Sequence, residues 1–186
     1  RWLRSGGVML PMECSVWAAP VCMRDHLNSI TGFWEQSQYG VDFSPLAAAA
    51  LEQHTSIPVV TTCSSDTLLS KPVCLWTLDC QHSMGEDTRY QGLRFQCEVT
   101  KAGRLHGLSL WFRCKLTEGV EFGTGPMDQP THWEQVVLFL DPECMDSDDI
   151  HVSIGSSLRG AVQWECVGDV LDVRMAGEVE SISTTD

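Results

Sequence analysis

Positive charge is scarce in this chain: 12 Lys and Arg stand against 25 Asp and Glu, a net charge of −13 over 186 residues. That balance repels nucleic acid and anionic membranes and favours basic partners. Long apolar runs are missing as well, and none reaches the ~18 residues that a helical membrane span requires. No two cysteines stand in C-x-x-C spacing and no two histidines in H-x-x-x-H spacing, so the common zinc patterns are excluded. The run Asp146-Ser147-Asp148-Asp149 offers carboxylates but lacks the order and closing Glu of an EF-hand loop. No metal site is expected. Internal repeats and low-complexity segments are absent too.

What is present describes an ordinary globular chain. Hydrophobic residues make up 43% and charged ones 20%, enough for a sizeable core. The length suits one domain, or one domain and part of a second. Nine cysteines do not make a secreted disulfide scaffold, because the number is odd and a chain this long needs no staples. Cys97 and Cys114 alternate with apolar residues and read as small core fillers. The chain is placed in a reducing compartment, cytosol or nucleus. It opens on Arg1 and reads as a piece of something longer.

Periodicity supplies the coarse architecture. Residues 1–23 carry a Gly6-Gly7 break and apolar residues flanking Pro11, predicting a helix end and then a strand. In 32–56, Phe33, Trp34, Tyr39 and Phe43 crowd together before Ser44-Pro45 opens an alanine-rich helix. That insert holds more aromatic residues than its own core can use. From about residue 58 the pattern is β. Strands are expected at 93–99, 106–116, 136–140, 150–154, 161–166 and 169–175, from period-2 alternation and intervening turn signals. In 106–116 the face Leu108, Leu110, Phe112, Cys114, Leu116 opposes Ser109, Trp111, Arg113 and Lys115. Trp111 is read either as a cleft contact or as packing between layers. The final SISTTD reads as a loose tail. The fold class is mainly β, a barrel or sandwich with a short helical insertion.

One loop stands out. Between two strands, Gly123, Gly125, Pro126 and Pro130 lead to Thr131-His132-Trp133. Gly and Pro at this density impose a particular shape, and loops on a rigid scaffold commonly carry binding residues. His132 reads either as a proton-transfer or orienting group, or as a structural histidine capping the following strand. From Leu116 to Leu158 there is no Lys or Arg but nine acids, which reads either as a field steering basic partners or as an ordinary solvated face.

The segments LHGLSLWF (105–112), TGP (124–126) and THWEQ (131–135) resemble the C-terminal β-barrel of protein arginine methyltransferases, with their S-T-x-P turn and T-H-W-x-Q motif. Upstream, RWLRSGGVMLP (1–11) is similar to the family segment that closes the cofactor-binding domain. FWEQSQYGVDFSPL (33–46) is similar to its dimerisation arm. The matches keep the family's order over roughly residues 1–175, and their tone is nearest the type I branch, which makes asymmetric dimethylarginine. Two positions depart from the pattern: Glu134 where the family has Lys, and Gly123 where it has Ser.

The resemblance implies an enzyme that moves a methyl group from S-adenosylmethionine to an arginine guanidinium of basic, arginine-rich protein substrates. It implies that residues 1–20 end a Rossmann-like α/β cofactor domain and linker, while 21–186 form the β-barrel, with the arm at about 32–56. By match, His132 is the catalytic orienting or proton-relay residue, Thr131, His132 and Trp133 border the substrate pocket, and Pro11 is a cis proline. Phe33, Trp34, Tyr39 and Phe43 would bind a second subunit, in a homodimer or heterodimer. No Gly-rich cofactor loop and no paired-glutamate hairpin appear in the sequence. The chain alone is therefore expected to bind no S-adenosylmethionine and to be inactive. Two rivals remain: a non-catalytic regulatory subunit of such an enzyme, and a stand-alone β-sandwich module binding basic peptides.

Overall fold

A computed structural model describes residues 4, 6–37, 39–83, 90–145, 150–167 and 170–180. The tail at 181–186 and the acids Asp146–Asp149 lie outside them, as do residues 1–3 and 5 of the opening segment. The Leu10–Pro11 peptide is cis.

A large antiparallel sheet organises the domain. Its central strand β1 (Glu13–Val21) pairs with β3 (Val73–Asp79) on one side and β6 (Gly107–Thr117) on the other. Beyond β6 lie β8 (Gln135–Phe139) and the short edge strand β2 (Val59–Thr61), while β7 (Val120–Gly123) folds back on β6 as a hairpin. The junction expected at residue 20 sits near the end of β1, which belongs to this sheet from Glu13 onward.

A second sheet of β4 (Tyr90–Glu98), β10 (Ser157–Val167) and β11 (Val170–Glu180) packs against the first, and β5 (Gly103–Arg104) pairs with β9 (His151–Val152). The expected strand 150–154 is thus only two residues long. The chain turns at Ser153–Ser156, where Gly155 has φ +87°, a conformation that favours glycine.

The helices form one excursion between β1 and β2. Helix α1 (Arg24–Glu35) has no side-chain cap, and its polar first turns conceal it in the sequence. A 3-10 turn, Ser44–Leu46, then leads into α2 (Ala47–Thr55). The expected Ser44 side-chain cap is absent: the turn starts from Phe43, and Ser44 instead donates its backbone N–H to Asp42 Oδ1 at 2.9 Å. A short helix α3 (Pro142–Met145) follows β8.

Alternating side chains send β6 into two cores at once. On one face Leu108 joins Ala18, Leu138 and Val162 between the two sheets. On the other, Trp111 joins Ala19, Val21, Val137 and Phe139 beneath Met23, Leu27 and Cys63 at the base of the helices. Trp111, 6% exposed, therefore packs between layers. A third cluster of Leu69, Cys97, Val99, Val152 and Leu158 closes one end. The T-shaped contact of Trp76 with Trp164, centroids 5.9 Å apart, ties β3 to β10.

Candidate functional site

The loop from Gly123 to Gln135 is fastened at three points, each traceable to a residue type. The first is Thr124, 1% exposed, whose N–H donates to Phe112 O at 3.0 Å and whose hydroxyl also meets the Phe112 backbone. The second is Asp128. Its carboxylate accepts from Gly125 N at 3.0 Å and from Arg113 Nη2 at 3.1 Å, and its own N–H donates to Gly125 O. Arg113 meanwhile lies 5.7 Å over the Trp17 ring. A Cβ at Gly123 would run into the Asp128 carboxylate and come within 3.0 Å of Arg113 Nε. The departure from serine at this position thus has a local cause, because the ion pair occupies the space. A Cβ at Gly125 would come within 2.5 Å of Trp111 Nε1, so the buried indole sets how closely the turn approaches β6.

The third fastening is Gln135, 7% exposed. Its Nε2 donates to Thr124 O at 2.6 Å and its Oε1 accepts from Cys63 N at 2.6 Å. One side chain thereby joins the start of the loop, its end, and the segment after β2. In the sequence Gln135 stands inside the T-H-W-x-Q motif with no role assigned to it. A polar residue opening an otherwise apolar strand was the available signal. Beside it, Glu134 has φ +52°, and its Oε1 accepts from Thr62 Oγ1 at 2.7 Å.

These fastenings carry Thr131-His132-Trp133 outward. Glu134 N donates to Thr131 O at 3.2 Å, closing a turn that exposes His132 and leaves Trp133 49% exposed. Trp133 stacks on Phe122 with centroids 5.9 Å apart and meets Phe112 edge-on at 5.7 Å. The His132 ring lies 4.1 Å from that of Trp133. The Thr131 hydroxyl is buried without a hydrogen-bond partner, an unusual state for a polar atom. The structure therefore sets His132 and Trp133 on one aromatic ledge, while the Thr131 hydroxyl lies buried.

Part of the acidic stretch is neutralised by ion pairs. Glu118 pairs with Lys115 at 2.8 Å and Asp128 with Arg113, both cations coming from β6 just before the acidic stretch begins.

Three of the four expected arm residues, Phe33, Trp34 and Phe43, gather at the far end of the helical excursion, and Tyr39 stands apart from them. Phe33 and Phe43 both meet Trp34 edge-on, at 5.2 and 6.4 Å. Phe33, Tyr39, Val41 and Leu46 are all about half exposed or more, Tyr39 wholly so. At the base of the excursion His26 Nε2 lies 2.9 Å from His54 Nε2, and both rings contact Phe139 of β8. Burial, and then the neighbouring His54, lower the pKa of His26. His106 Nδ1 accepts from Met23 N at 2.8 Å where α1 begins. Burial, and then the Arg104 and Arg24 charges, lower its pKa.

Nucleotide-type cofactors sit at the carboxyl ends of parallel strands, against a helix N-terminus. Every strand pairing among the described residues is antiparallel, so no crevice of that parallel-strand kind lies among them.

A family model described as the arginine methyltransferase oligomerization subdomain matches residues 12–176. Protein arginine N-methyltransferase 6 of Xenopus laevis is 31% identical over 160 residues, covering 82% of this chain and 46% of its own. Protein arginine N-methyltransferase 1 of Schizosaccharomyces pombe is 25% identical over 165 residues, covering 87% and 45%. The chain spans about half the length of these curated relatives. A crystal structure of PRMT6 superimposes with a TM-score of 0.69 at 16% identity, covering 89% of this chain and 55% of that one. The Trypanosoma brucei PRMT1 enzyme-prozyme heterotetrameric complex with AdoHcy gives 0.64 at 16%, covering 92% and 57%. At such identities the likeness to solved structures speaks for the fold alone.

Proposed function

The chain belongs to the protein arginine methyltransferase family, and on that premise we propose that it forms the substrate-side wall and dimerisation arm of such an enzyme. The complete protein transfers methyl groups to arginine in basic proteins of the cytoplasm or nucleus, and the cofactor site lies in sequence outside this chain. In this reading the barrel with its arm begins at β1, at Glu13, and the residues before it are the junction to the cofactor domain. The observation that carries it is the ledge of His132 and Trp133, stacked on Phe122 and held by Thr124, Asp128 and Gln135.

The chemistry suits what these side chains offer. S-adenosylmethionine supplies the methyl group when bound. A guanidinium is a planar, delocalised cation that lies well on an aromatic face. Trp133 gives it that face, and Glu134, its neighbour in sequence, adds negative charge beside it. Methyl transfer is an in-line displacement, so orientation carries much of the rate. His132, at the edge of the ledge, takes the orienting or proton-relay role. The exposed Phe33, Tyr39, Val41 and Leu46 make the arm a surface for a second subunit.

The test is methyl transfer by the full-length protein, with labelled S-adenosylmethionine and an Arg/Gly-rich peptide. Asymmetric dimethylarginine in the hydrolysate is the expected product. His132→Ala is expected to lower turnover about 10²-fold or more, within the range of lost proton-transfer catalysis, while leaving the unfolding midpoint nearly unchanged. Equal turnover of variant and parent removes His132 from the mechanism. Transfer only after a paralogue is mixed in makes the protein a regulatory subunit.

A further inference from the structure

Three thiols meet beneath the hairpin of β6 and β7. Cys14 on β1 stands directly opposite Cys114 on β6 in the antiparallel register, with the two sulfurs 3.4 Å apart. Cys80, just past the end of β3, brings its sulfur to 3.9 Å from that of Cys14. Its place is fixed by its own N–H, which donates to Met12 O at 2.9 Å. Cys114 is 9% exposed, whereas Cys14 and Cys80 are half-buried and reachable by a small solute.

We propose that Cys14 and Cys114 are an oxidisable pair that peroxide closes into a cross-strand disulfide, with Cys80 as the alternative partner of Cys14. The geometry favours this pair over the other thiols among the described residues. Residues directly opposite in an antiparallel ladder have Cα atoms about 4.5–5.5 Å apart, inside the span of about 4.4–6.8 Å that disulfides bridge. From 3.4 Å, the sulfurs need to approach by only about 1.4 Å to reach bonding distance.

The step balances as follows. The Cys14 thiolate attacks one peroxide oxygen, the O–O bond breaks, and hydroxide leaves to take a proton, giving a sulfenic acid. The Cys114 thiolate then attacks the Cys14 sulfur and expels the hydroxyl group, which leaves as a second water. Two thiols and one peroxide become one disulfide and two waters. Burial, and then the neighbouring sulfur of Cys114, raise the pKa of Cys14; Glu13 adds to the rise. Cys14 is accordingly held as a thiol at neutral pH and awaits an oxidant. Once closed, the bond fastens β1, the strand that follows Leu10–Pro11, to β6, which carries Phe112 and Arg113 under the aromatic ledge.

The experiment uses the full-length protein carrying Cys74→Ser and Cys144→Ser, because those two thiols are exposed and would cross-link between molecules. Limited hydrogen peroxide is added, the remaining thiols are alkylated, and the product is mapped by non-reducing peptide mass spectrometry. The expected result is a loss of two titratable thiols, a monomer on a non-reducing gel, and a single linked peptide pair joining Cys14 to Cys114. Adding Cys114→Ser shifts the link to Cys14–Cys80, and Cys80→Ser leaves the Cys14–Cys114 link in place. Sulfinic acid at Cys14, intermolecular links, or oxidation confined to other cysteines in this doubly substituted protein overturns the proposal, provided its far-UV circular dichroism matches that of the unsubstituted protein.

Discussion

Replacing Gln135 by Met keeps nearly the same volume and removes both polar contacts. Gln135 is 7% exposed, and its amide holds Thr124 O and Cys63 N, each at 2.6 Å. The variant leaves a buried carbonyl and a buried N–H without partners. Each orphaned group costs about 1–3 kcal/mol, whereas burying the thioether returns only part of that. The expected loss is about 2–4 kcal/mol. With a urea m-value of about 1–3 kcal/mol/M for small proteins, that lowers the midpoint by about 1–2 M. The assay is equilibrium urea unfolding followed by tryptophan fluorescence. Gln163→Met, at an exposed position of β10, serves as the control and is expected to change stability by no more than about 0.5 kcal/mol. A loss for Gln135→Met no larger than the control's would refute the reasoning, because the side chain would then fasten nothing.

Two further outcomes follow from the packing and the histidines. Gly107→Ala places a Cβ against the Leu138 carbonyl, and 3.0 Å from Phe139 Cα, on the neighbouring strand. Backbone cannot swing aside, so a loss of about 1–3 kcal/mol or more is expected; a wild-type thermal midpoint would contradict it. Acid is the other perturbation. The folded pKa values of His26 and His106 lie below the ordinary histidine value, so the unfolded chain takes up protons first as pH falls. Stability is full above about pH 6.5 and falls below it until the folded-state pKa values are passed. Thermal midpoints at pH 7.5 and pH 5.5 should differ in that direction, and His26→Phe with His106→Gln should shrink the difference. An unchanged difference in the double variant would remove these two histidines as its cause.

Much of the fold was legible from alternation. The expected strands at 93–99, 106–116 and 136–140 correspond to β4, β6 and β8: the first two carry alternating apolar residues, and the third is a short apolar run buried along most of its length. The segments 161–166 and 169–175 fall within the long hairpin of β10 and β11. Helix α1 was illegible. Its capping comes from far away in sequence, where His106 receives the N–H of Met23, and no local pattern announces that. Trp111 was ambiguous because alternation assigns one face to the core, whereas β6 has a core on each face. The ledge of His132 and Trp133 was found through its Gly and Pro residues. The parts that hold it were not, since Arg113, Asp128 and Gln135 act across 11 to 72 residues of sequence.

Strand β8 is only five residues long, yet it touches both ends of the molecule's business. Its first residue, Gln135, clamps the loop, and its last, Phe139, lies against the rings of His26 and His54 at the root of the helices. Both of its edges are bonded, to β2 and to β6. An extended strand rises about 3.4 Å per residue, so the two attachments lie roughly 14 Å apart along a rod that neither stretches nor compresses appreciably. The helical excursion and the aromatic loop thus share a single mounting. Their relative position is a property of one short, doubly braced segment, and a change that lengthens or slips it by one residue would misalign both together.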